Sequence, residues 1–257
     1  MKKYNRFFAF GCSYTEYFWP TWANIIARDT GLPFVNLGKS GAGNVYIHHK
    51  MVEAKIKESI NDDDLVIVNW TSWHREDRVN LNGDWTLGGN IFNNNSNYDK
   101  RFLKKHHSIY NDIVKNATAI ISGNDAMKVA YQSHMIDYET MVEYPGLNQL
   151  HADKLLNRYS YFNNALPEKK IFHSDDQTFF NKALKGYDSH PDILGHLGHV
   201  KQIYNDLGWK LKDETIDYYS IMQERLAIRL HGTGIRSCTN FQEIQNLIAK
   251  IYSPEDF

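Results

Sequence analysis

The pattern of apolar and polar positions opens on a buried strand. Phe7-Phe8-Ala9-Phe10 is an uninterrupted apolar run closed by Gly11, which predicts a short strand covered on both faces and then a tight turn. The period then changes. Trp22–Thr30 (WANIIARDT) carries apolar residues at helical spacing and stops at Gly31, a natural helix terminator. Pro33–Leu37 predicts a second strand running into the loop Gly38–Asn44, and Tyr46–Ile60 a second helix. Asp64–Trp70 is the clearest strand, an apolar run entered through acidic residues. This alternation predicts right-handed parallel crossovers and a sheet buried on both faces, so the fold class is α/β.

Further along the pattern is less regular. Asn80–Asn97, rich in Gly and Asn, predicts a long surface loop. Ile109, Ile113, Ala117, Ile120 and Ile121 predict a helix over Ile109–His134. Ile171-Phe172-His173 suits a late strand, Asp175–Lys185 a loop or helix, and Pro191–Leu207 a helix after an opening turn. Beyond Gly208, Glu214–Leu230 and Phe241–Tyr252 suit two amphipathic helices separated by Gly232-Thr233-Gly234. The expected organisation is a domain over 1–210 and a helical C-terminal extension over 211–257. That extension can pack on the body, form a lid or mediate a homo-oligomer.

At 257 residues and 42% apolar, the chain can bury a large core. Lys+Arg at 29 against Asp+Glu at 30 leaves no basic excess for nucleic acid, which is not expected as a partner. No apolar run reaches membrane-span length, so a membrane is not expected either. Lys2-Lys3 before Phe7–Cys12 resembles a leader, but Arg6 interrupts it and the run is short. Cys12 and Cys238 make no disulfide framework. The expected location is cytoplasmic, and a phage-encoded or virion-associated protein would look the same. Sixteen Tyr, thirteen Phe and six Trp suit core packing and also sugar or ester pockets, which composition does not separate.

The candidate chemistry begins at Ser13. A serine hydroxyl is a poor nucleophile at neutral pH and needs a base, an orienting group and donors for the developing oxyanion. Ser13 falls where the first strand should end, at the carboxyl edge where open α/β sheets place ligands. His190 is the expected base, and Asp188 is expected to hold one ring nitrogen so that the other faces Ser13. The bland alternative is a turn serine capping the next helix. Cys12 is expected to point inward as a small core residue.

Three segments carry a resemblance. Gly11-Cys12-Ser13-Tyr14-Thr15 resembles the first block of the SGNH (GDSL-like) hydrolases, with Cys12 in place of the usual Asp. Asn36-Leu37-Gly38-Lys39-Ser40-Gly41 is similar to the second block, and Asp188-Ser189-His190-Pro191 to the last. The resemblance spans roughly residues 5–205 and implies a three-layer αβα, flavodoxin-like parallel sheet. It implies catalysis by Ser13, Asp188 and His190, with the Ser13 and Gly41 N–H groups in the oxyanion hole. The family's third block, Gly-x-Asn-Asp, departs here: a loop expected over Trp70–Arg78, opening Trp70-Thr71-Ser72-Trp73-His74, follows the central strand. Thr71, Ser72 and Asn44 are then candidates for the third donor, and Thr71, Ser72, Trp73 and Arg75 are candidate substrate-binding residues. The family's Asp commonly stands three residues before the His, where Tyr187 lies, so the spacing here favours Asp188. Ser122-Gly123-Asn124-Asp125 spells the missing block, but the surrounding periodicity favours helix.

Other chemistries fit less well. His190, His196 and His199 lack an HExxH arrangement, so neither a metal nor another cofactor is expected. Gly38–Asn44 lacks the P-loop order, and Gly41-Ala42-Gly43 opens no dinucleotide fingerprint. The expected function is hydrolysis of a small-molecule or carbohydrate ester. O-acetylated sugars are implied by family habit and aromatic content. The alternatives are acyl transfer by the same triad, a non-catalytic ligand-binding or virion-associated module, and a nucleotide-binding α/β protein.

Overall fold

The structure, a computed structural model, describes residues 3–71, 75–90, 101, 105, 129–134 and 191–232. The chain divides into two compact units, Met1–Glu16 with Thr30–Asn163, and Tyr17–Asp29 with Asn164–Phe257.

In the first unit, strands β1 (Phe7–Phe10), β2 (Phe34–Asn36), β3 (Leu65–Trp70) and β6 (Tyr131–His134) form one sheet in the order β2-β1-β3-β6. Every pairing is parallel, with Phe7 opposite both Phe34 and Leu65, and Ile67 opposite Tyr131. β1 and β3 are central, which is why their sequences read as continuous apolar runs. Phe8, Phe10, Val66, Val68 and Trp70 share one face and pack with Tyr46, Ile47, Met51 and Ala54 of helix α2 (Asn44–Lys57). Pleating sends Phe7, Ala9, Leu65, Ile67 and Asn69 to the other face, which is also buried. Arg6 Nε and Nη2 donate to the two Asp64 carboxylate oxygens at 2.9 and 2.7 Å, pinning the entry of β1 to that of β3.

Three expectations are corrected here. Arg75–Val79 and Trp85–Asn90 are antiparallel strands β4 and β5 of a hairpin, where a loop over Trp70–Arg78 and a second over Asn80–Asn97 were expected. The turn is local: the Asn80 Oδ1 accepts from the Asn82 and Asp84 N–H groups, and Gly83 takes φ +85°. Tyr131–His134, expected inside a helix, pairs with the carboxyl half of β3. Its partner strand supplied the reason, since four residues with three polar ones carry little period of their own.

In the second unit, helix α1 (Trp22–Thr30) buries Trp22, Ile25 and Ile26, and Gly31 follows at φ +67°, as the sequence indicated. Helix α3 (Ile193–Leu207) buries Ile193, Leu197, Val200 and Ile203 and ends at Gly208, also left-handed. Helix α4 (Asp213–Gly232) is bound to both. Gln223 Oε1 accepts from the Ile193 N–H at 3.1 Å, and the Arg28 guanidinium lies 3.3 Å from the Tyr218 ring centre. Asp29 accepts from the Tyr204 hydroxyl and the Lys212 N–H. The expected elements at Ile171–His173 and Phe241–Tyr252 lie outside the described residues. The architecture is thus a mixed α/β one, with an N-terminal parallel sheet and a helical C-terminal segment. Among the described residues, no helix is long and apolar enough to cross a membrane.

Candidate active site

Parallel pairing continues past the ends of β1 and β2. The Leu37 N–H donates to the Ala9 carbonyl and the Lys39 N–H to the Gly11 carbonyl, at 2.8 and 3.1 Å. The turn after β1 and the loop after β2 therefore leave the same edge side by side. The turn is closed by the Thr15 and Glu16 N–H groups, both donating to the Cys12 carbonyl. Ser13 lies on it, 2% exposed, and Cys12 is fully buried in the core shared with α2, as expected.

Thr15 explains two of the glycines. A Cβ on Gly11 would meet Thr15 Oγ1 at 2.0 Å, and one on Gly38 would meet Thr15 Cβ at 2.8 Å. The threonine thus occupies the space that both glycines leave open. Asn36 completes the joint, donating from Nδ2 to the Thr15 carbonyl and accepting at Oδ1 from the Gly38 N–H, each at 3.0 Å. The turn bearing Ser13 is fixed to the second loop rather than hanging from the strand.

Within that loop Gly41 takes φ +83°, a left-handed conformation suited to glycine. The Ala42 N–H donates to the Lys39 carbonyl, the Ser40 N–H to Glu16 Oε2 at 3.4 Å, and the Gly43 N–H to Asp77 Oδ1 at 2.7 Å. Among the described residues the Gly41 N–H makes no such bond. Asn44, the first residue of α2, grips the backbone beyond β3. Its Oδ1 accepts from the Thr71 N–H at 2.9 Å, and its Nδ2 donates to the Thr71 carbonyl at 3.0 Å. One amide hydrogen of Asn44 is therefore committed to Thr71.

The structure thus gathers Ser13, Gly41, Asn44 and Thr71 at the carboxyl edge of β1, β2 and β3. Arg75 is buried at the start of β4, where Nη1 donates to the Ala42 carbonyl at 3.0 Å. Ser72, Trp73, Asp188, His190 and the Ser122–Asp125 segment lie outside the described residues. In the second unit the two residues after His190 are anchored. The Trp19 indole N–H donates to the Pro191 carbonyl at 2.8 Å, and Asp192 Oδ1 accepts from the Gly195 N–H at 2.8 Å. Burial pushes the Asp192 carboxyl up to about 6, against the Gly195 and Leu194 N–H groups that favour its anion. His196 and His199 are fully buried on α3, the latter with its ring edge-on to Trp22.

Three residues escaped the sequence reading. Asp77 accepts from Gly43 and also, at 2.8 Å, from the Tyr46 N–H. Burial raises its carboxyl above the ordinary range, opposed by these two donors and by Arg75. Asn69, near the carboxyl end of β3, is fully buried, and neither amide atom has a partner among the described residues. Ser133, opposite it in register, has a buried hydroxyl in the same condition. The dipeptide Asn82-Gly83 was the available signal for the hairpin that carries Asp77.

No protein-family model matches this sequence. No curated protein matches it either. Among solved structures, the crystal structure of a member of the lipolytic protein G-D-S-L family from Veillonella parvula DSM 2008 is remotely similar. It shares 15% identity over 78% of this chain and 96% of that one, with a TM-score of 0.40.

Proposed function

We propose that this chain is a serine ester hydrolase of SGNH type, built on a flavodoxin-like sheet. One observation carries the reading. The Ser13 turn and the Gly41 loop leave adjacent parallel strands at one edge, joined through Thr15 and Asn36, with the Gly41 N–H uncommitted among the described residues. In this reading Ser13 Oγ attacks the acyl carbonyl and His190 accepts its proton. Asp188 orients the imidazole and stabilises its cation. The Ser13 and Gly41 N–H groups receive the oxyanion. His190 then protonates the departing alcohol and afterwards activates the water that releases the acid. The substrate is a small-molecule or carbohydrate ester, and the chemistry calls for no cofactor.

Ser13→Ala should lower turnover of a short p-nitrophenyl ester by about a thousandfold or more while the thermal melt stays in place. A fluorophosphonate should label the wild-type protein at Ser13. Undiminished hydrolysis in a clean preparation of the variant would overturn the assignment. The engagement of Asn44 with Thr71 favours, as a second reading, a ligand-binding module short of one oxyanion donor. An intact wild-type protein that takes no label at Ser13 would select it.

A further inference from the structure

The loop Gly38–Gly43 holds three glycines in six residues, so its own sequence does little to fix the direction of its N–H groups. The hairpin does that work from outside. Three successive loop residues each meet it: Leu87 lies 3.6 Å from where a Gly41 Cβ would stand, Arg75 holds the Ala42 carbonyl, and Asp77 holds the Gly43 N–H. Asp77 and Leu87 are register partners, and the ladder is irregular between Arg75 and Asp77, where the two side chains reach different parts of the loop.

Gly43 gives this contact its signature. Its φ of −100° is open to any residue, so backbone conformation does not call for glycine. A Cβ there would lie 2.7 Å from Asp77 Oδ2, so glycine is the residue that lets the carboxylate approach. Gly43 is the N-cap of α2 and brings no side chain to cap it. Asp77 fills that office from another element, taking the Gly43 and Tyr46 N–H groups with one oxygen each.

Resting on the hydrolase reading above, we propose that Asp77 and Arg75 are positioning residues that hold the Gly41 N–H in place as an oxyanion donor. The hairpin is then a template for catalysis as well as a cover for α2. A cap alone would stabilise the helix, whereas a template also sets turnover. Removing it should misplace the donor by a fraction of its bond length, and turnover is sensitive to such displacements.

The experiment compares wild type with Asp77→Ala on the full chain, using p-nitrophenyl acetate, fluorophosphonate labelling and amide hydrogen exchange. The expected result is a kcat about ten- to a hundredfold lower with KM within about twofold, at a temperature where the variant is folded. Exchange should quicken at the Gly43 and Tyr46 amides. If the alanine variant does not fold, Asp77→Asn, which keeps the shape and one acceptor oxygen, takes the same measurements. A folded variant with faster exchange and unchanged kcat overturns the template and leaves only a helix cap. Wild-type protein that takes no label at Ser13 sinks the hydrolase reading and the positioning role of Asp77 with it. A labelled, active wild type beside a fully active variant removes the role of Asp77 alone.

Discussion

Helices α2 and α3 begin with the same physical problem and solve it in opposite ways. Each leaves backbone N–H groups without carbonyl partners in its first turn. At α3 the N-cap residue Asp192 turns its own carboxylate onto the Gly195 N–H, three residues on. At α2 the N-cap is Gly43, and a carboxylate 31 residues beyond Tyr46 performs the same service. The local solution needs only a short segment to fold. The remote one ties the loop to the hairpin, so helix start and loop shape become one property.

The sharpest test of that difference is a methyl group. Gly43→Ala should cost about 2–3 kcal/mol of stability, because the new Cβ meets a held carboxylate. Gly195→Ala should cost under about 1 kcal/mol. Its Cβ meets the Pro191 side chain at 2.9 Å, but alanine recovers helix propensity of similar size. Equal losses in urea melts would erase the contrast.

The next effect is one of pH. The folded Asp192 carboxyl keeps its proton up to about 6, whereas an unfolded aspartate releases it near 3.8. Between those values the folded state binds more protons, so this group makes stability fall as pH rises from about 4 to about 6. Two pKa units correspond to roughly 2–3 kcal/mol at the upper end. Asp192→Asn should flatten that part of the stability profile, and parallel curves for the two proteins would refute the origin. Smaller still is the support from α4. Gln223→Ala removes the acceptor for the Ile193 N–H and a 3.4 Å contact to Asp192, and should cost about 1 kcal/mol. A melt that does not move would show that α4 adds nothing to the start of α3.

Legibility in the sequence follows the same division. β1, α1, α2, β3 and α3 are plain in the pattern because each shows its period or its unbroken burial. The hairpin was hidden because Arg75-Glu76-Asp77-Arg78 is charged and looks solvated, although Arg75 is buried and Asp77 is spent on α2. β6 was hidden because pairing with β3, not its own composition, makes it a strand. At the candidate site, Ser13 is expected from its place after the first strand, and Gly41 from the resemblance of its loop to a family block. Asp77 was not, since nothing near it in the chain announces a partner at Gly43. The glycine at 43 invited an explanation by backbone freedom, and the contact shows that room for an oxygen atom is the cause.

The Trp19 indole and the Asp29 carboxylate have a bearing on how the chain comes off the ribosome. Their partners are Pro191, Tyr204 and Lys212, at separations of 172, 175 and 183 residues. The Tyr17–Asp29 stretch must wait until residues 191–212 have been synthesised before those contacts can form. The strands on either side, β1 and β2, can meet one another much sooner. A nascent chain stalled before residue 191 should therefore present Trp19 and Trp22 as bare apolar surface, a natural landing place for chaperones.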